Sequence, residues 1–195
     1  MSLNNPILKD AKEILKSLED LEIIFSHDEV NLVLMLMGIK TITEIEIVVE
    51  KDKKSQRKLI EGSFKKLNLS FFSKDEIYNK DRSLKYATLY VGKNEKDVEK
   101  FSEISSRDGI ESEVARGEML GIPDSAISGW VDKKLKDEKT LPREIVNDDA
   151  FKFLDFKLSQ KDWRREFDLL KERVKVIREN FPELYNNILK NDIIS

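Results

Sequence analysis

One short stretch of this chain gathers the residue types that could bind or transform a small anion. The set is Arg116, Glu118, Gly121, Pro123, Asp124 and Ser125. Arginine presents a planar fork of donors that matches a carboxylate or a phosphate, and Glu118 and Asp124 add two carboxylates beside it. The stretch therefore predicts a site for a small anionic ligand, or the active site of an enzyme that acts on one. No individual catalytic residue can be assigned from the sequence.

The same stretch predicts a corner between two helices. Leu120 precedes Gly121, which suits the left-handed residue that closes many helices, and Pro123 suits the first positions of the next helix. Asp124 or Ser125 would then cap that helix. Backbone N–H groups at such a helix start can hold an anion if no side chain fills the place. The alternative is a helix–turn–helix corner that only packs.

The segment Leu120-Gly121-Ile122-Pro123-Asp124-Ser125-Ala126-Ile127 resembles the L-G-Y-P-x-C-C-V core of a family of uncharacterised proteins found largely in archaea. A second segment is similar to the C-terminal helical part of that family: Leu158-Ser159, Trp163-Arg164-Arg165-Glu166 and Phe181-Pro182-Glu183-Leu184-Tyr185. Ser125 and Ala126 stand where the family has adjacent cysteines, and Ile122 replaces its tyrosine. The resemblance implies kinship, but it carries over neither an activity nor any role of the cysteine pair.

Several kinds of chemistry are excluded by residues that the chain lacks. It has no cysteine and one histidine, so disulfides, thiolate nucleophiles and cysteine-ligated metal sites are ruled out, and we predict no metal site and no cofactor. The glycine-rich loops of dinucleotide- and nucleotide-binding proteins are absent. His27 is predicted in the first turn of a helix as an exposed residue, because no nucleophile pattern accompanies it.

Composition predicts a soluble cytoplasmic protein. The chain has 35 basic and 38 acidic residues among 195, a net charge of −3 that makes nucleic acid an unfavourable partner. Neither an export signal nor an apolar stretch long enough to cross a membrane is found. The abundance of lysine and glutamate is typical of thermophile surfaces, although an AT-rich genome favours the same residues.

Hydrophobic periodicity predicts an α+β fold. Two N-terminal helices cover residues 1–40, the second apolar nearly all round. Residues 41–105 read as β-α-β-β-α, which predicts a small mixed sheet with two helices on one face. The predicted elements are a strand over 41–50, a helix over 53–67 with a stripe of Leu59, Ile60, Phe64 and Leu67, strands over 69–73 and 85–92, and a helix capped by Asn94. Residues 74–84 read as a polar loop.

Residues 106–195 are predicted to be helical, within a single domain spanning 1–195. A helix over 126–135 is interrupted by Gly129, with Trp130 as its apolar anchor, and Asn147 caps a short aromatic turn. The final segment carries a regular seam: Trp163, Phe167, Leu170, Val174, Ile177 and Phe181. Ser159 and Asp162 resemble a capping box for it. The seam either docks on the sheet or pairs with a second copy of itself in a homodimer.

Three functions compete. The first is a non-catalytic module that binds a ligand or a protein partner, favoured because the usual catalytic patterns are missing. The second is an enzyme acting on a small anionic substrate at the Arg116–Ser125 corner. The third is RNA binding, through the basic helix start at residues 53–58 with Tyr86 or Tyr90 stacking on bases, and the acidic charge balance weighs against it.

Overall fold

The computed structural model of the protein describes residues 9, 11–13, 15, 16, 26–48, 54–78 and 85–191. The chain divides into two compact units, Met1–Glu103 and Ile104–Ser195. The boundary between the two units falls between Glu103 and Ile104. Most of the first predicted helix falls outside the described residues. The α+β class is confirmed.

The first unit contains a three-stranded sheet with helices packed on it. Its elements are α1 (Ser26–Leu36), β1 (Ile42–Val48), α2 (Lys54–Lys66), β2 (Ser70–Tyr78), β3 (Lys85–Gly92) and α3 (Glu95–Ser105), whose last two residues lie past the boundary of the unit. The strand order is β1-β3-β2, and both pairs are antiparallel. The described sheet is therefore antiparallel rather than mixed, because β3 inserts between the two strands that α2 connects.

The helices α2 and α3 cover opposite faces of this sheet, not the one face that was predicted. Successive residues of a strand point to opposite faces, and here Phe71 contacts Phe64 of α2 whereas Phe72 contacts Phe101 of α3. Phe64 and Phe101 are both fully buried. The sheet is thus the middle layer of the unit, with an aromatic contact on each side.

Two further expectations for this unit are wrong. Strand β2 continues to Tyr78, past a register shift between Lys74 and Ile77, so residues 74–78 are strand rather than loop. Leu59 does not belong to the buried stripe of α2 in which it was predicted, because it is 53% exposed, whereas Ile60 is buried. Asn94 does cap α3 as predicted, because its side-chain oxygen accepts a hydrogen bond from the Asp97 N–H at 2.9 Å.

Helix α1 is buried along most of its length, which confirms the all-round apolar pattern. Its first turn meets β1 at the outer edge of the sheet. There the Asp28 carboxylate accepts a hydrogen bond from the Glu46 N–H at 2.9 Å. Loss of solvent around this carboxylate, reinforced by the charges of Glu46 and Glu44 and opposed by that hydrogen bond, raises the pKa of Asp28 to about 6.

The second unit is helical. Its elements are α4 (Ile110–Met119), α5 (Asp124–Val131), a short 3-10 turn (Glu138–Thr140), α6 (Arg143–Val146), a 3-10 segment (Asp149–Phe153), α7 (Trp163–Asn180) and α8 (Pro182–Asn191). Asp148, rather than the predicted Asn147, caps the 3-10 segment by accepting from the Ala150 N–H at 2.9 Å. No described helix is long and apolar enough to span a bilayer.

The predicted seam is buried within this unit. Its members are Trp163, Phe167, Leu170, Val174, Ile177 and Phe181, each at most 8% exposed. Trp163 packs in one cluster with Leu141, Phe156 and Leu158. Internal packing therefore occupies the seam, which leaves no seam surface for a second copy.

A buried polar contact fixes the start of α7. Glu166 is 1% exposed, and its two carboxylate oxygens accept from the N–H and the hydroxyl of Ser159 at 2.7 and 2.6 Å. The Ser159 hydroxyl oxygen in turn accepts from the Asp162 N–H at 3.0 Å. Asp162 is the N-cap residue of α7, so Ser159 and Asp162 do not form the predicted capping box. Ser159 instead connects the preceding segment to the helix through Glu166.

Gly129 lies inside α5 and does not interrupt it. A Cβ atom at this position would lie 2.8 Å from the Ser159 Cβ, closer than side chains approach one another. The helix can therefore pack directly against the segment around Ser159 only because residue 129 lacks a side chain.

Candidate functional site

The corner between α4 and α5 has the geometry that the sequence predicts. Gly121 has a positive φ of 73°, and the N–H groups of Gly121 and Ile122 donate to the carbonyls of Glu118 and Gly117 at 3.0 and 2.9 Å. This pair of bonds is the Schellman motif, which satisfies carbonyls left open at a helix end. The Gly121 carbonyl accepts a further bond from the Arg173 guanidinium at 2.6 Å.

The start of α5 differs from the prediction in its cap. Pro123 is the N-cap residue, and no side chain forms a capping hydrogen bond there. Asp124 and Ser125 lie within the first turn, so neither caps the helix. An acidic residue in a first turn still favours the helix through the helix dipole, but it also repels an anion from that end.

The predicted site residues differ in their surroundings. Arg116 forms an ion pair with Glu113 at 2.9 Å along the surface of α4. Glu118 and Asp124 are exposed, and neither borders the cavity described next. An anion site built from Arg116 and the two carboxylates together therefore stays a prediction, and the ion pair reduces what Arg116 can offer to it.

An apolar pocket lies beside the corner instead. It has a volume of ≈ 200 Å³. Its apolar lining comes from Leu120, Ile122, Ala126, Ile127, Trp130, Leu135 and Phe156. Glu113, Arg116 and Lys157 also line it, so one of the six predicted site residues borders the cavity. Trp130 is 47% exposed, so it forms part of the pocket rather than the apolar anchor that was predicted.

Two arginines give this region its electrostatic character. The Arg116 side chain is about a quarter exposed, and its Nε is a buried donor without a hydrogen-bond partner among the described residues. Arg173 is nearly buried, and burial lowers the pKa of its guanidinium while the charge of Asp155 acts in the opposite direction. Because a guanidinium keeps its proton in proteins, Arg173 remains a cation despite its burial.

Sequence reasoning missed the residues that complete the pocket. Leu135, Phe156 and Lys157 lie far from the corner in the chain, and they are brought to it by an isolated antiparallel bridge between Leu135 and Ser159.

The other predicted sites have little support in the described structure. His27 is exposed, as expected. No group of three or more metal-ligating side chains occurs among the described residues. Tyr90 is 5% exposed and stacks on Phe72, so it cannot stack on a base. The side chains of Tyr86 and most of the basic start of α2 lie outside the described residues.

Comparisons with protein-family models, curated proteins and solved structures find no match for this chain. The resemblance to the archaeal family therefore stays a prediction.

Proposed function

We propose that the protein is a non-catalytic binding module whose C-terminal unit seats one apolar side chain of a protein partner in the pocket beside the α4–α5 corner. The observation that carries this proposal is Trp130, a large aromatic residue that is half exposed at an apolar cavity. Tryptophan is among the residues that most often dominate binding energy at protein interfaces.

The size of the pocket favours a single side chain over a whole small molecule. Pockets for drug-sized ligands usually measure about 300–1,000 Å³. This pocket measures ≈ 200 Å³, which suits one bulky apolar group. A small apolar carboxylate would use the same contacts, and the experiment below includes that chemistry.

The charges around the pocket favour an acidic group next to the apolar one. Arg116 and Lys157 both line the cavity, against one carboxylate, Glu113. Glu113 already accepts from one Nη of Arg116, whereas the buried Nε of that arginine still lacks an acceptor. Because that Nε is closed to solvent, a carboxylate beside the apolar anchor would pair with the accessible part of the Arg116 guanidinium and with Lys157.

The alternative function, an enzyme at this corner, has weaker support. General acid–base chemistry needs carboxylates within hydrogen-bond reach of the bound substrate. Glu118 and Asp124 are exposed and do not line the pocket.

The proposal can be tested with a minimal mimic of the anchor. N-acetyl-phenylalanine offers an aromatic side chain and a carboxylate, and N-acetyl-phenylalanine amide lacks only the charge. The chain has two tryptophans, so two indole N–H signals report binding by NMR. We expect the Trp130 signal to shift saturably with a Kd of about 1 mM. The signal of Trp163 should shift less, because that residue is buried behind Phe156 of the pocket lining.

Arg116→Gln and the amide probe test the charged part of the site. We expect the variant to weaken binding of the acid but not of the amide, because only the acid needs the guanidinium. The proposal fails if the Trp130 signal does not move with either probe. Equal binding of acid and amide to the unmodified protein would refute the acidic partner group while keeping the apolar pocket.

A further inference from the structure

The outer edge of β2 is the second place in the molecule that fits a partner, and it belongs to the first unit. In the order β1-β3-β2, β2 is an edge strand, and no described strand pairs with its outer side. Alternate residues of an edge strand direct their N–H and C=O groups away from the sheet, ready to pair with another strand. The opposite edge is different, because Asp28 of α1 accepts the outward Glu46 N–H there.

A groove runs along this open edge between two helices. It has a volume of ≈ 870 Å³ and is lined by residues 69–72 of the chain, with Glu61 and Lys65 of α2 on one side. The other side is formed by residues of α3, namely Glu95, Val98, Glu99, Ser102 and Glu103. Because α2 and α3 cover opposite faces of the sheet, the groove exposes the strand edge between two helical walls.

The walls of the groove are acidic. They carry four glutamates and one lysine, and Glu95 and Glu99 are both exposed. A second copy of the chain would fit poorly, since pairing two β2 edges about a two-fold axis would bring like-charged walls together. The cationic groups of a basic segment would instead lie next to the glutamates of the walls. The aliphatic parts of its lysine or arginine side chains would pack on Leu69, Phe71 and Phe72.

We propose that the edge of β2 binds an extended, lysine- or arginine-bearing segment of a protein partner as an added strand. Main-chain hydrogen bonds to the edge provide the attachment, and the alternation of side chains in a strand sends every second residue toward the α3 wall. Basic residues at those positions pair with Glu95 and Glu99. This inference is independent of the pocket in the second unit.

The test uses an acetylated and amidated peptide, Lys-Val-Lys-Val-Lys-Val-Lys, as the probe. We expect it to bind the full chain with a Kd below about 1 mM. Backbone NMR shifts should concentrate in residues 69–73, and hydrogen exchange should slow at those amides of β2 that point away from β3. A peptide with glutamate in place of lysine should not bind, and replacing the central valine by proline should weaken binding, because proline cannot donate a main-chain hydrogen bond.

Glu95→Gln/Glu99→Gln tests the acidic wall with little disturbance of α3. We expect this variant to bind the lysine peptide about tenfold more weakly. The matched control is Glu111→Gln/Glu172→Gln, which changes the net charge equally at exposed positions of the second unit and should bind normally. Circular dichroism and an unchanged β3 amide spectrum establish that each variant is folded.

Three results would overturn the inference. The first is the absence of binding up to about 1 mM peptide. The second is equal binding by the two double variants, which would remove the role of the wall. The third is equally tight binding of spermine, a polycation without a peptide backbone, since the edge of β2 would then contribute nothing.

Discussion

Replacing Asp28 by Asn should stabilise the first unit at neutral pH. The folded protein holds this carboxyl at a pKa of about 6, against its ordinary value of 3.8, chiefly because burial penalises the charged form. Above about pH 6 the folded state therefore carries a desolvated charge that the unfolded chain keeps in water. Asparagine removes the charge, and its side-chain oxygen still accepts the Glu46 N–H that Asp28 accepts at 2.9 Å.

The size of the effect follows from the interval between the two pKa values. That interval is about two pH units, and each unit corresponds to about 1.4 kcal/mol, so the upper limit is about 3 kcal/mol. The sign follows from proton binding: between about pH 4 and pH 6 the folded state binds more protons than the unfolded state, so stability falls as pH rises. The variant should lack this fall.

Amide hydrogen exchange of β1 and β3 measures the stability of the first unit directly, whereas both tryptophans lie in the second unit. We expect wild type and Asp28→Asn to have nearly equal opening free energies near pH 4 and to diverge by up to about 3 kcal/mol near pH 8. Asp124→Asn, at an exposed position of the second unit, is the control and should change neither value. Parallel pH profiles of wild type and Asp28→Asn would refute the reasoning.

Four other variants test the second unit by thermal or urea denaturation. Trp163→Ala should lower the free energy of unfolding by about 3–5 kcal/mol, because it opens a cavity in the core. Trp130→Ala changes a half-exposed residue and should lower it far less. Similar losses for the two variants would contradict the assigned burial. Gly121→Ala should destabilise by about 1–2 kcal/mol because φ is 73°, and an unchanged midpoint would argue against the left-handed corner. Ser159→Ala should lower the free energy of unfolding by about 1–3 kcal/mol, because it removes one of the two donors to buried Glu166. An unchanged free energy of unfolding would contradict this role of Ser159.

Local patterns predicted most of the secondary structure, because they depend on residues close in the chain. The seam of α7, the cap at Asn94 and the left-handed Gly121 follow from spacing and from side-chain chemistry alone. The arrangement of the sheet could not be predicted in this way, because it depends on contacts between distant residues. The order of elements sets neither the insertion of β3 between β1 and β2 nor the placement of α2 and α3 on opposite faces.

The candidate site was predicted only in part for the same reason. Arg116 lies at the pocket, but the pocket exists because Leu135 and Phe156 return to the corner from distant positions. Sequence spacing alone does not distinguish an ion pair of Arg116 with Glu113, one helical turn away, from a contact with a ligand. Exposure of Trp130 likewise depends on which side of α5 the rest of the unit covers.

The contact between Gly129 and Ser159 has a consequence for how this chain can evolve. Each residue leaves room for the other, since a methyl group at position 129 would lie 2.8 Å from the Ser159 Cβ. Ser159 also holds the buried carboxylate of Glu166, so a change at position 159 to relieve a larger residue at position 129 would leave that carboxylate with fewer donors. The three positions should therefore vary together or not at all in related sequences. Coupled substitution at these three positions would identify relatives more reliably than identity at the charged residues of the corner. The side chains of those charged residues are mostly exposed, so substitutions there disturb little packing.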